Sequence, residues 1–465
     1  MPAEILPTQD AVIWQVQSLD APLHIGALAV FEAGALRDAD GAIRIDDIRR
    51  HVSVQLEHTP RFRQRLLELP LAQGLAWVDD EQFDIAHHVL LGSLPHPGGE
   101  AELREFVARH LEVPPDLTRP LWEIWVVDGL AGDRVAVLPK VNHVMADGMA
   151  LLAFSLRLLD FEPQDHGEEP SPWTPEPVPG ARSLLTSGMA NRIGNQVGAL
   201  WRLVATATNP RVLIGAAKAI GRLGSTGGGR APGLPITRPV GPHRDFLWAR
   251  LPWSDLDRVK RAEGTTLNDV ILTIATGALA HYLDHTGHDL GGRPPRVLVP
   301  VSTHGASAGD EVENRFSMLV ADLPVATTDP LERLRTVHAE MERHKASAQT
   351  VLGPMLFSLG DLLPPWLVRA AAPPVLRSQP FVNLAVTNMP GSRDPMYLLG
   401  AEMTDLYPYI CGVGNVAVIM GIISYRDSLG VGITVDADAV PDPDVLVAGL
   451  EQAAEELIQA SATTR

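Results

Sequence analysis

His143 carries the most specific chemical signal in this chain. It opens an HxxxDG spacing, Asn142-His143-Val144-Met145-Ala146-Asp147-Gly148, directly after the apolar run at residues 135–141. An imidazole titrates near neutrality, so it can take the proton from a hydroxyl as that oxygen attacks an acyl carbonyl. His143 is the candidate general base. Asp147 is an architectural residue, capping the following helix or anchoring its loop through a buried arginine. Gly148 lacks the Cβ that would obstruct a tight strand-to-helix transition or a closely approaching ligand.

A base works only if its ring is held, so the elements around it matter. The run at 135–141 reads as a buried strand, and the apolar stretch from Met149 and Leu151 reads as the next helix. About twenty residues earlier stands Arg119-Pro120-Leu121-Trp122-Glu123, in which Pro120, Leu121 and Trp122 are expected to be structural residues near the site. Later, Thr265 or Thr266 can cap a helix running from Asn268 towards Tyr282, and Ser254 can cap a shorter one through Val259. Asn268 and Asp269 then fall in a first helical turn, where the helix dipole stabilises such residues.

Taken in order, these segments resemble one family. Pro22-Leu23-His24-Ile25-Gly26, Pro60-Arg61-Phe62-Arg63-Gln64-Arg65, the Pro120-Leu121-Trp122 element, the HxxxDG, Leu267-Asn268-Asp269-Val270 and Thr387-Asn388-Met389-Pro390-Gly391 span nearly the whole chain. The chain resembles the bacterial wax ester synthase/acyl-CoA:diacylglycerol acyltransferases, within the chloramphenicol acetyltransferase and condensation-domain superfamily. One position departs from the pattern: the family writes HHxxxDG, and this chain has Asn142 where the first histidine stands. The resemblance gives the base role to the second histidine, which is His143. Asn142 still donates and accepts hydrogen bonds but supplies no titrating group.

The resemblance implies an α/β fold of two chloramphenicol-acetyltransferase-like lobes with mixed sheets, with the HxxxDG at their junction and a tunnel between them. It implies acyl-CoA as donor substrate and diacylglycerol or a fatty alcohol as acceptor, with no cofactor. Asn142, Asn268 and Asp269 become candidate substrate-binding residues, Asn268 towards the acyl-CoA or the channel and Asp269 supporting the backbone. No acyl-enzyme is expected, because no GxSxG accompanies His143 and both substrates can meet in one complex. Two alternatives stay open. One is another acyltransferase of the superfamily with a different acceptor or a carrier-bound donor; the other is a catalytically degenerate lipid-binding relative.

Composition narrows the partners. With 465 residues and 45% hydrophobic content, the chain can build two substantial cores. The net charge of −18 argues against nucleic acid, which needs a concentrated basic surface. The single cysteine, Cys411, forms no disulfide framework and reads as a small buried residue. The first ten residues show no secretory signal pattern, and no apolar run reaches the length of a spanning helix, so a cytoplasmic protein is expected. His87 and His88, read as strand neighbours on opposite faces, make a poor joint metal site, and no metal is expected. No nucleotide-phosphate cradle motif is present, so CoA must bind by another geometry.

The organisation reads as residues 1–161 for a first lobe, 162–245 for a crossover, and 246–465 for a second lobe. Six prolines between 162 and 180 favour an extended path, and glycine-rich 221–242 reads as a mobile break. Between them, 181–222 carries Arg182, Arg192, Arg202, Arg211, Lys218 and Arg222 with no Asp or Glu. It fits either a basic helix resting on anionic lipid, at a membrane or lipid-droplet surface, or one packed on the acidic body. The apolar stretch 351–376 fits either a lipid entrance or a proline-broken core helix.

Overall fold

The computed structural model of the protein describes residues 4–6, 10–11, 14, 22–69, 74–114, 116–145, 154–155, 157–164, 167–180, 182–184, 186, 194, 198, 230–302, 316–345, 374 and 377–463. Asp147 and Gly148 lie outside the described residues, as does most of 181–222 and of 351–376.

The strands are β1 (Glu4–Ile5), β2 (His24–Glu32), β3 (Gln64–Glu68), β4 (Leu75–Asp79), β5 (Val89–Ser93), β6 (Trp122–Leu130), β7 (Arg134–Asn142) and β8 (Arg244–Pro252). They continue as β9 (Arg296–Ser302), β10 (Phe316–Asp322), β11 (Leu384–Met389), β12 (Tyr397–Leu398), β13 (Ala401–Ile410), β14 (Val418–Tyr425) and β15 (Ser428–Asp436). The principal helices are α1 (Ile45–Gln55), α2 (Glu100–Glu112), α3 (Trp253–Glu263), α4 (Leu267–His285), α5 (Pro330–Lys345) and α6 (Asp444–Thr463).

Two six-stranded mixed sheets make the two lobes, in the orders β12-β13-β2-β7-β6-β5 and β10-β9-β11-β14-β15-β8. The first sheet takes β12 and β13 from residues 397–410, far along the chain, so sheet membership crosses the linear division into halves. β13 lies antiparallel to β2, pairing Ile410 with Ile25 and Tyr409 with Gly26.

Local sequence explains the elements. β7 is buried on both faces, which suits its near-continuous apolar run. In α1, Ile48 and Val52 are four residues apart on the buried face, and Asp46 and Asp47 sit in the first turn where the dipole favours them. α4 is buried nearly all round, from Val270 to Leu283, as a helix enclosed by sheet and neighbouring helices must be. Thr266 caps it and forms a capping box with Asp269. Ser254 has no capping role: α3 begins at Trp253 with Pro252 before it, so Ser254 is already inside the first turn.

The lobes meet where β13 crosses β14 and β15. The carbonyl oxygens of Leu406 and Pro408 rest against Gly430 and Gly432, where a Cβ would overlap them. Aromatic rings close the same junction, with Phe246 edge-on to Tyr409 at 5.9 Å and Trp248 tilted against Tyr407 at 6.0 Å between ring centroids. On the rim, Arg104 of α2 forks onto Asp245 of β8 and also reaches Asp444 at the start of α6, at 2.6 Å.

The proline-rich stretch after the first lobe is extended and docked on that lobe. Trp173 packs edge-on to Phe83 and under the Arg63 guanidinium, while the Glu176 N–H donates to Asp79 at 2.9 Å. The second break differs from the sequence expectation over its described part. Residues 230–242 are packed, with Leu234 and Ile236 in the second lobe's core and the Val240 N–H donating to Gly414. Their apolar side chains outweigh the local glycine and proline content.

Candidate active site

β7 delivers His143 in a closed turn. The Met145 N–H donates to the Asn142 carbonyl at 2.9 Å, the His143 N–H donates to the Leu23 carbonyl at 2.9 Å, and the Asn142 N–H donates to the Leu121 carbonyl at 2.9 Å. Asn142 is buried, and its side-chain oxygen accepts the Val144 N–H at 3.1 Å. Asparagine is suited to such a turn because its short amide replaces a backbone partner two residues on. The residue that departs from the family pattern thus shapes the backbone that carries His143.

His143 itself is half-buried. Its Nδ1 is sealed from solvent and has no hydrogen-bond partner among the described residues. The accessible part of the residue therefore lies away from Nδ1.

The Pro120-Leu121-Trp122 element lies against this strand end. All three residues are buried, and Trp122 pairs with Val141 across the β6–β7 ladder. The indole N–H donates to the Phe62 carbonyl at 2.7 Å, and the ring stands edge-on to Phe62 at 5.7 Å. His88 stacks on the other side, 4.6 Å from Trp122, and its Nδ1 is 2.8 Å from the Trp122 carbonyl. Burial pushes the His88 imidazole below its ordinary range, so it is a neutral part of the core. His87 ends a short 3-10 turn at Ile85–His87 and is not a strand neighbour of His88. Asp84 caps that turn, a stronger local signal than the alternation read from sequence. Among the described residues no group of three or more His, Cys, Asp or Glu could hold a metal ion.

Asn268 and Asp269 begin α4, in the other lobe. Asp269 is completely buried: its Oδ2 accepts the Thr266 N–H at 2.9 Å and faces His338 Nδ1 of α5 at 2.8 Å. Asn268 is half-buried. No hydrogen bond joins either residue to His143, whereas Leu121 and Asn142 are tied directly to the turn that carries it. At the end of β11, Gly391 donates its N–H to Ser424 Oγ at 3.0 Å, and a Cβ there would overlap the Ser424 carbonyl oxygen.

Several charged residues beside the site carry no obvious functional mark in the sequence. Lys140 is 1% exposed and is matched by Glu123 at 3.0 Å and by the carbonyls of His110 and Val113 at 3.1 Å. A lone lysine inside an apolar strand was the available signal. His24, opposite Asn142 in the β2–β7 ladder, directs Nε2 to the Val113 carbonyl at 3.1 Å. Burial first, and the Lys140 charge second, lower its pKa to about 3.

That shift makes stability pH-dependent. His24 binds a proton in the unfolded chain below about pH 6.5 but not in the folded one until about pH 3, so stability falls as pH falls between those values. From pH 6.5 to 5 the loss from this residue is about 2 kcal/mol. Denaturant unfolding of wild type and His24→Gln at both pH values checks it, with a shallower pH dependence expected in the variant. Equal slopes would show that His24 is not held neutral.

The two lobes, each built on a six-stranded mixed sheet, and a histidine turn at the end of a central strand define a two-lobed α/β protein. The model of the wax ester synthase/diacylglycerol acyltransferase catalytic domain matches residues 6–271, and that of the WS/DGAT C-terminal domain matches residues 312–458. The chain belongs to the wax ester synthase/diacylglycerol acyltransferase family. It is 32% identical over 461 residues to the probable diacylglycerol O-acyltransferase tgs1 of Mycobacterium tuberculosis, covering 98% of this chain and 96% of that one. Among solved structures, the wax ester synthase/diacylglycerol acyltransferase from Marinobacter aquaeolei VT8 aligns with a TM-score of 0.69 at 23% identity, covering 98% of this chain and all of the other. The first condensation domain of the calcium-dependent antibiotic synthetase aligns at 0.62 with 15% identity, covering 99% of this chain and 97% of that domain. These two likenesses concern the fold.

Proposed function

We propose that this enzyme transfers a long-chain acyl group from acyl-CoA to diacylglycerol, to a fatty alcohol, or to both. The observation that carries this reading is His143, fixed in a hydrogen-bonded turn at the end of β7 with Nδ1 sealed. Nε2 is then the nitrogen that meets substrate. It takes the acceptor's hydroxyl proton as the oxygen attacks the thioester carbonyl; the C–S bond breaks, and the CoA thiolate leaves with the proton from the imidazolium. Donors facing the carbonyl oxygen lower the barrier further. Asn268 lines the substrate channel between the lobes, and Asp269 holds its helix turn. The reaction needs no cofactor beyond the donor substrate.

Product analysis tests the reading. Purified protein given palmitoyl-CoA with diacylglycerol or hexadecanol is expected to form triacylglycerol or wax ester with one free thiol per ester. Ester formation only from a carrier-bound donor would replace this reading with the other superfamily chemistry. Binding of both lipids without thiol release would mark a degenerate relative.

Acceptors of this kind reside in membranes and lipid droplets, so a cytoplasmic enzyme must dock on such surfaces peripherally. Among the described residues, no helix is long and apolar enough to cross a membrane. The basic segment at 181–222 is the proposed contact. Flotation with anionic vesicles is expected to fall on reversing the charges of Arg192 and Arg202; unchanged flotation in a folded variant would remove the segment from that role.

A further inference from the structure

A large unmet hydrogen-bonding demand among the described residues lies at the lobe junction, in side chains that no step above uses. Arg244, the first residue of β8, is 3% exposed. Its Nη1 is occupied, donating to the Gly241 carbonyl at 2.5 Å and the His243 carbonyl at 3.1 Å, with Asp436 at 3.5 Å. Its Nε and Nη2 are buried and have no hydrogen-bond partner among the described residues. Asp436 is already engaged, accepting the N–H groups of Gly241, Asp438 and Ala439 at 2.6 to 3.1 Å. The Cys411 thiol lies close enough to the same guanidinium to take a hydrogen bond from it, but burial keeps it protonated, and a thiol sulfur is a weak acceptor that leaves Nε and Nη2 in want of an oxygen.

The complementary gap is on His24, which is 1% exposed. The Val113 carbonyl can only accept, so the ring proton sits on Nε2, and the ring is neutral. Nδ1 is left as a buried lone pair without a partner among the described residues. His24 and Arg244 both adjoin Cys411: its N–H donates to the His24 carbonyl at 2.9 Å, and its thiol faces Arg244.

Chemistry selects what can serve both. A carboxylate or carbonyl answers the guanidinium but cannot donate to Nδ1, and an ammonium donates but is repelled by Arg244. A hydroxyl does both. We propose that Arg244 and His24 form a hydroxyl-binding site at the lobe junction, the oxygen accepting from Arg244 Nε or Nη2 and its proton directed to His24 Nδ1. His24 faces Asn142, so this hydroxyl is held beside the residue that precedes His143. Its source is water or the acceptor substrate, whose hydroxyl would rest here before it passes to His143 Nε2 for transfer; the second source rests on the acyl-transfer reading above.

Crystallography of the full chain, at a resolution that shows ordered water, tests the site without turnover. An oxygen within hydrogen-bond distance of both Arg244 and His24 Nδ1 is expected. Co-crystals with 1-octanol then separate the sources, since an acceptor site shows the alcohol oxygen there with its chain leading away, and a water site keeps the isolated oxygen. No oxygen bridging the two groups, or a guanidinium paired instead with a protein group, would overturn the proposal whether or not the enzyme transfers acyl groups. In solution, Arg244→Lys is expected to raise the acceptor KM about tenfold for an acceptor site, the loss typical of one buried hydrogen bond, with the acyl-CoA KM unchanged. For a water site both KM values hold and only the Tm falls. Should that variant not fold, the wild-type crystals still decide.

Discussion

Replacing His143 with alanine is expected to lower kcat for ester formation by roughly 10²- to 10⁴-fold, the range that a positioned general base contributes. The fold should survive. His143 is half-buried, its Nδ1 has no hydrogen-bond partner among the described residues, and the turn around it is closed by backbone groups and by Asn142. The variant should therefore unfold near the wild-type temperature and still bind acyl-CoA, with the loss in kcat and not in donor KM. A matched fall in Tm would instead make His143 a structural residue. Full turnover in a folded variant would remove it from proton transfer.

The second large effect is expected at the crossing of the two lobes. Gly432→Ala places a methyl group on the Pro408 carbonyl oxygen, where β15 passes under β13. Neither strand can yield alone. β15 is held on both sides by β14 and β8, and β13 is held by β2. The cost falls on the contact between lobes, so a destabilisation of about 3 kcal/mol is expected, at the upper end for overpacking a tight interior. Gly34→Ala is the matched control, since nothing lies within 4 Å of a Cβ there. Chemical denaturation of the two variants beside wild type measures the difference. Equal stability of both would show that the lobes have room to separate at this crossing.

What was legible in the sequence follows from how local each determinant is. The apolar run behind His143 had to be a buried strand, and Thr266 with Asp269 three residues later is a capping pattern readable over four residues. Trp122 as a buried aromatic followed from its apolar neighbours. The swap of β13 into the first sheet was not legible, because pairing residues 401–410 with 24–32 is a non-local choice that leaves no periodic mark. The junction charges were hidden for a related reason. Arg104, Lys140 and Arg244 are single cations in sequence, and only the assembled lobes supply Asp245, Glu123 and Asp436 as partners. His338 likewise gains its meaning only when α5 lays it against Asp269.

Asn142 deserves a physical reading of its own, since it is where the chain leaves the family pattern. Its amide oxygen holds the Val144 N–H, and its carbonyl closes the turn on Met145. The position thus has a backbone-shaping task that a non-titrating amide performs well, and the departure does not deprive His143 of its support.

In the proposed reaction His143 activates the acceptor hydroxyl for direct attack on the thioester, with no acyl group resting on the protein. Intact-protein mass and free thiol, followed after mixing the enzyme with excess palmitoyl-CoA and then adding diacylglycerol, measure this most directly. The expected result is an unmodified chain throughout and thiol release that begins only when the acceptor arrives. A stoichiometric burst of thiol with a palmitoylated protein, before any acceptor is present, would contradict it.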